Sequence, residues 1–422
     1  MKKSTRDFFI VGFALFAMFF GAGNLIFPPF LGHAVGKDFI FAIIGFTLTG
    51  VGLPLLAIIA CTKGDGTFKT MASKIGPKFA IVFAAILFIA IGPMLGIPRT
   101  AATTYELTIH PILPQIPPFV WMLIYFGINL FFVFSKTSII DTIGKFLTPA
   151  LLIILGIIIV KGIFLPIGNV SDTGFTSVFS NSLIEGYQTM DALAALLFAA
   201  IVSKNIASKG YSKEKLLPMT IKASLVAAIG LAIVYGGLTF IGAQTTSVVS
   251  GDITNTSLLL FISKRILGSA GTTIIGVAMG LACLTTSIGL ITAGSSFFEE
   301  ISKGKLKYKY NAICITIISI FIGSLGVDKI IKISGPILNI LYPVAITLIF
   351  TTLFSKFLKN VRAIRLGVYI SLIFGVLQVI PFVNLSFIPL ASLGFSWLIP
   401  TILSVIIGNL IFRIPSQELV QA

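Results

Sequence analysis

Charge is scarce in this sequence. Asp, Glu, Lys and Arg make up only 10% of its 422 residues, where a soluble globular domain carries roughly 25%. Histidine occurs twice, as His33 and His110, and the three cysteines, Cys61, Cys283 and Cys314, lie far apart within or beside apolar runs. That excludes a readable metal-ligand spacing and a disulfide framework; the thiols read as small hydrophobes in packed helices. No GxxxxGK[ST] loop for a nucleotide is present, nor an HExxH or GxSxG motif. A membrane-embedded protease or acyltransferase would need a nucleophile with its base, or a metal cluster. Both histidines fall on the expected external side and read as interfacial, so no enzyme is expected.

Hydrophobic residues fill the space that charge leaves, at 56% of the chain with a mean hydropathy of +1.06. Apolar runs of about 20 residues are long enough to cross a bilayer as helices. The expected fold is therefore an all-α polytopic membrane protein. Twelve candidate spans lie near 8–32, 39–61, 79–103, 118–135, 142–165, 183–203, 219–243, 271–298, 310–326, 333–354, 366–381 and 388–411. The N-terminal stretch MKKSTRD, with an apolar run and then GAG, imitates a secretory signal with its cleavage site. The apolar sequence resumes at once as LIFPPFLG, however, and cleavage would discard half a span.

The net charge of +16 first suggests a nucleic-acid partner, but there is no basic stripe with interleaved aromatics. With the N-terminus in the cytoplasm and twelve spans, 23 of the 30 Lys and Arg residues fall on the cytoplasmic side. Among them are Lys2, Lys63, Lys136, Lys145, Lys204, the KGKLKYK run 303–309, Arg362 and Arg413. The loops 168–182 and 242–257 contain none. This asymmetry follows the positive-inside rule, so both termini are expected in the cytoplasm. The partners it implies are the lipid bilayer and a small solute, with no nucleic acid; nothing specifies an oligomeric state.

Three stretches break the apolar pattern. The first is GAGNLIFPPF, Gly21 to Phe30, about 13 residues into its span and so near the midplane at 1.5 Å per residue. Irregular backbone survives at that depth only where protein buries it or it lines a wet cavity. Glycines permit unwinding and close approach, and Pro28 and Pro29 fit a kink or helix restart. Gly12, Gly21 and Gly23 also suit plain helix packing, but Asn24 and the prolines favour a break. The second stretch is EGYQTMDALAALL, Glu185 to Leu197. Glu185 suits the outer interface, while Asp191 lies deeper, where an ionisable side chain marks a functional site unless it merely caps a later helix start. Thr189 and Asp191, two residues apart, face one ligand only if the backbone between them is unwound.

The third stretch is GLACLTTSIGLITAGSS, Gly280 to Ser296. Ala282 and Thr285 share a helix face and Thr286 adjoins them. A carbonyl and two hydroxyls, hard donors without a carboxylate, suit Na⁺ better than a divalent ion; the same hydroxyls also suit bonds within their own helix. The first and sixth spans are five apart, and broken spans at matching positions of two halves point to a transporter's binding site. Half-helix N-termini suit a carboxylate, and unwound carbonyls suit an ammonium group or Na⁺, so a zwitterionic amino acid answers both.

The runs FALFAMFFGAGNLIFPPFLG (13–32), IGPMLGIPRTAATTYE (91–106), GYQTMDALAAL (186–196) and SGPILNILYP (334–343) resemble the branched-chain amino acid:cation symporters, the LIVCS family of bacterial carriers. The likeness runs along most of the chain. It implies the leucine-transporter-like fold: a five-helix repeat over 1–170, an inverted five-helix repeat over 171–360 and two further helices over 361–422. It implies transport of leucine, isoleucine and valine across the cell membrane, coupled to Na⁺, by alternating access. Gly21, Ala22, Gly23 and Asn24 would form the first unwound segment, with the Ala22 and Gly23 N–H groups on the substrate carboxylate. The carbonyls of Ala17 and Phe20 would meet Ala282, Thr285 and Thr286 at the sodium site, since ACLTT matches that fold's A-x-x-T-[ST] spacing. Asn24, Thr189 and Asp191 would lie near the substrate amine or a second ion. Arg99 and Glu106 would form either an outer gate or an interfacial ion pair. Asp191 keeps open the alternative of H⁺ coupling, or of another small solute on the same fold.

Overall fold

A computed structural model describes residues 3–64, 66–135 and 139–412. Lys2, Lys136 and Arg413, three of the basic residues assigned to the cytoplasmic side, lie outside the described residues, as do both chain ends. Among the described residues every regular element is helical. Six helical stretches there are long and apolar enough to cross a bilayer, and four shorter apolar helices of 10–17 residues accompany them.

The first span is two helices, α1 (Lys3–Phe19) and α2 (Ala22–Val35). The second is α3 (Phe39–Thr47) and α4 (Leu53–Lys63), joined through a π-helical turn at 48–52. After the short α5 (Phe68–Ser73), the third span comprises α6 (Pro77–Ile89), a π segment at 90–96, α7 (Ile97–Thr104) and a π turn at 105–109. The fourth and fifth are α8 (Pro118–Phe134) and α9 (Ile139–Phe164). The sixth is again two helices, α10 (Val178–Tyr187) and α11 (Asp191–Ser208). The seventh is α12 (Lys213–Gln244); α13 (Asn255–Leu267) then precedes the eighth, α14 (Ser269–Ile301). The remainder are α15 (Tyr308–Gly323), α16 (Val327–Leu353), α17 (Val361–Leu377) and α18 (Leu398–Ile411).

One expectation is corrected here. The last span does not start near 388: helix begins only at Leu398, because Leu390 and Gly394 take left-handed backbone conformations at φ 69° and 81° that no helix can contain. The segment between the seventh and eighth spans holds α13. The Thr254 hydroxyl caps that helix by accepting from the Ser257 N–H at 3.2 Å, and Gly268 ends it at φ 75°.

Small residues set the packing of the central helices. A Cβ on Gly32 would collide with the Thr239 carbonyl of α12, and one on Gly242 would collide with the Pro29 carbonyl of α2. These paired glycines let α2 and α12 touch backbone to backbone, as membrane helices do when lipid supplies no hydrophobic drive. Gly12 serves the same end further down, where a Cβ would stand 2.6 Å from Val226 Cβ. Large apolar side chains such as Ile40, Phe41, Leu225, Ile233 and Phe321 face outward, as lipid contact requires.

Candidate substrate site at two helix breaks

At the first break the chain leaves α1 at Phe19 and re-enters helix at Ala22, with Gly21 extended at φ −129°, ψ −165°. Asn24 sits three residues into the new helix, and its Oδ1 accepts the Gly21 N–H at 2.9 Å. This is one half of a capping box, with Asn in place of Glu or Gln. The break is thus built by local chemistry rather than by the prolines, both of which lie inside α2. The glycine alternatives divide. Gly12 is a packing glycine, a Cβ on Gly21 would meet nothing nearer than 3.6 Å, and one on Gly23 would stand 2.8 Å from Arg99 Nη2.

At the second break α10 ends at Tyr187 and α11 begins at Asp191. Met190 turns the chain with φ 62°, a conformation that costs a bulky residue energy and tends to cluster at functional sites. Thr189 knits this turn together: its hydroxyl donates to the Gly186 carbonyl at 3.0 Å and accepts the Asp191 N–H at 3.3 Å. Asp191 is therefore not the cap of its helix. It is the first helical residue, and its carboxylate accepts from the Asn24 side chain. Glu185, expected at the outer interface, sits half-buried in the last turn of α10.

The two breaks meet through one cluster. Asn24 Nδ2 donates to Asp191 Oδ2 at 2.5 Å and also to the Tyr235 hydroxyl. Tyr235, on α12, donates in turn to Asp191 Oδ2 at 3.4 Å. All three side chains are at most 5% exposed, so in lipid each depends on the others for its hydrogen bonds. Tyr235 was not among the residues singled out from the sequence, because a tyrosine in an apolar run looks like core.

Arg99 and Glu106 correct the expectation of an ion pair between them. Seven residues apart, they are separated by roughly 10 Å of helical rise, and they face different partners. Arg99 is 4% exposed and donates through Nη1 to the Gln188 carbonyl at 2.6 Å. Its guanidinium also lies 5.3 Å over the Phe27 ring. Glu106 instead accepts from the Thr256 hydroxyl of α13 at 2.6 Å and from the Val327 N–H that opens α16 at 2.9 Å. It ties α13 and α16 to the third span and, among the described residues, pairs with no arginine.

Two further contacts bring α16 to the second break. The Ser334 hydroxyl donates to Gln188 Oε1 at 2.5 Å, and Tyr342 stacks on Tyr187 with centroids 3.9 Å apart. The eighth span arrives from the other side, since Thr286 Oγ1 is 3.9 Å from where a Gly21 Cβ would be. Thr285 donates to the Ala282 carbonyl at 2.9 Å, so both oxygens lie on one face of α14. Phe20 and Ala282 are buried, while Ala17, Thr285 and Thr286 are half-buried.

Residues 4–414 match the family described as branched-chain amino acid transport protein. The chain is 38% identical over 443 aligned positions to the branched-chain amino acid permease BraB of Bacillus subtilis (strain 168), covering 99% of each. It is 36% identical over 434 positions to the permease BrnQ of the same organism, covering 98% of each. Among solved structures it resembles MHP1, a nucleobase-cation-symport-1 family transporter, in a closed conformation with bromovinylhydantoin bound. The TM-score is 0.63 at 14% identity, over 95% of this chain and 91% of that one. It also resembles MhsT in complex with L-phenylalanine, with a TM-score of 0.58 at 16% identity over 95% and 98%. The fold is that of the leucine-transporter-like carriers, and the chain belongs to the branched-chain amino acid transport protein family of membrane transporters.

Proposed function

We propose that this protein imports leucine, isoleucine and valine together with Na⁺, by alternating access around a site formed where the two broken helices meet. The observation that carries the proposal is the junction of the breaks through Asn24 and Asp191. It puts main-chain groups, a carboxylate and an amide at one buried point. The names of BraB and BrnQ as branched-chain amino acid permeases support the choice of substrate.

In this reading the Ala22 and Gly23 N–H groups, at the positive end of α2, receive the substrate carboxylate. Gly21 contributes by staying extended, since Asn24 already takes its N–H. Asp191 and the Asn24 side chain face the ammonium group, and Thr189 holds the turn that presents them. The cargo Na⁺ lies between the carbonyls of Ala17 on α1 and Phe20 in the first break and the oxygens of Ala282, Thr285 and Thr286 on α14. An oxygen set without a carboxylate suits a monovalent cation. Residues 1–170 and 171–360 form the inverted repeats that rock about this point, 361–422 form the additional helices, and both chain ends face the cytoplasm.

Coupling to H⁺ is the second reading, favoured by Asp191, a buried titratable carboxylate at the centre of the site. Purified protein in proteoliposomes separates the two. An imposed inward Na⁺ gradient at fixed pH is expected to drive labelled leucine uptake that a protonophore leaves intact and that valine and isoleucine compete for. Uptake that follows a pH gradient and ignores Na⁺ would replace the first reading with the second. No leucine uptake under either gradient would reject both.

A further inference from the structure

The third span delivers a positive charge to the place where the two breaks meet. Its backbone is irregular on the way there. Residues 90–96 are π-helical around Pro93, and Gly92 leaves helical geometry at φ −75°, ψ −110°, the kind of local widening that recurs at functional sites. Beyond it Arg99 lies across the second break, with Nη1 2.6 Å from the Gln188 carbonyl and Nη2 3.5 Å from the Thr189 carbonyl. A guanidinium presents five N–H donors in a rigid fork, so these two acceptors leave much of the fork unused, and neither carries a compensating full charge. Among the described residues no carboxylate lies within 4.0 Å of Arg99; Asp191 and Glu185 act on it only through space. A buried guanidinium without a counter-ion is costly to keep inside a bilayer.

The fork is also held against the first break. A Cβ on Gly23 would stand 2.8 Å from Nη2 and 3.2 Å from Cζ, and Phe27 supports the guanidinium face at 5.3 Å. Gly23 belongs to the first turn of α2, whose N–H groups have no partner within their own helix. The geometry points to Arg99 as the anchor for the carboxylate of a zwitterionic amino acid, which docks between the guanidinium fork and the first-turn N–H groups of α2. This rests on the amino acid transport reading given above. The substrate then supplies the directly bonded anion that Arg99 lacks among the described residues. Asp191, which forms no ion pair with Arg99, is left to take the ammonium end, and the two charges fix the direction in which the substrate lies.

Equilibrium binding of leucine and of leucinamide to the purified full chain tests this. The amide keeps the side chain and the ammonium group but carries no carboxylate. Wild type is expected to prefer leucine by roughly tenfold to a hundredfold, the range of a charged hydrogen-bonded contact. Arg99→Gln is expected to abolish that preference by weakening leucine alone, and Arg99→Lys, which keeps the charge but loses the fork, to retain part of it. Should Arg99→Gln fail to fold, Arg99→Lys decides, with leucine weakened by about tenfold and leucinamide unmoved. Equal weakening of both ligands in either variant, or an unchanged preference, means that Arg99 only caps the carbonyls that end α10, and overturns the inference. Binding of neither ligand by wild type rejects the amino acid reading itself, and the anchor with it.

Discussion

Asn24 serves three groups with one amide. Its oxygen takes the Gly21 N–H, and its two N–H bonds go to Asp191 and Tyr235, which uses both donors and half of its acceptor capacity. A buried network of this kind holds together only while every member is satisfied. Asp191→Asn keeps the size and removes the charge, so folding is expected to change little while leucine uptake falls by at least about tenfold, the loss of one charged hydrogen bond; thermal unfolding beside transport separates the two. Wild-type uptake in that variant would remove Asp191 from the site. The double substitution Thr285→Ala and Thr286→Ala removes two oxygens from the face of α14 that meets the first break. It is expected to raise the Na⁺ concentration for half-maximal uptake by roughly tenfold or more, while leucine dependence at saturating Na⁺ moves much less. Asn24, Asp191 and the Thr285–Thr286 pair were legible in the sequence because each is polar in an apolar run. Arg99 was visible too but misplaced, since an arginine beside Thr100 and Thr103 reads as the end of a span. Its place across the second break, where it donates to the Gln188 carbonyl, follows a π segment at 90–96 that no side-chain pattern announces. Tyr235 was illegible for the opposite reason: only the fold brings it to Asp191.

At the scale of elements, each break has its own local cause. The first rests on Gly21 and the backward reach of Asn24, and the second on Met190 in a left-handed turn stitched by Thr189. GAGN with its proline pair and the depth of Asp191 made both breaks readable. The turn at Met190 was not readable, because methionine has no preference for that conformation and holds it only through its surroundings. The contact of α2 with α12 was hidden as well, since Gly32 and Gly242 are 210 residues apart in the sequence. Gly242→Ala forces a methyl group into the Pro29 carbonyl and is expected to destabilise the protein by about 1–3 kcal/mol, as overpacking does, seen as a lower unfolding temperature in detergent. Gly127→Ala, on the exposed face of α8 with no atom within 4 Å of the new methyl group, is the matched control. It is expected to be neutral or slightly stabilising. Equal effects from the two would mean that α2 and α12 do not pack through these glycines.

For the whole molecule, the uneven placement of Lys and Arg predicts which loops face the cytoplasm. In intact cells carrying a Cys314→Ser background, Thr176→Cys in the exposed segment before α10 is expected to react with a membrane-impermeant thiol reagent. Lys305→Cys, between α14 and α15, is expected to react only after the membrane is permeabilised. The reverse pattern would invert the orientation. The span count was readable because apolar runs and basic loops alternate cleanly. The start of the last span at Leu398 and the existence of α13 were not, since both depend on backbone turns at Leu390, Gly394 and Gly268 rather than on composition.

If the two breaks grip a zwitterion and Na⁺ side by side, each ligand must tighten the other by the same factor, because binding linkage is reciprocal. The most direct measurement is equilibrium binding of labelled leucine to the purified protein across a series of Na⁺ concentrations, with choline keeping ionic strength constant. The affinity is expected to rise at least fivefold between Na⁺-free and saturating conditions, the lower end of about 1–3 kcal/mol of coupling. A leucine affinity that stays the same whether or not Na⁺ is present would contradict the account.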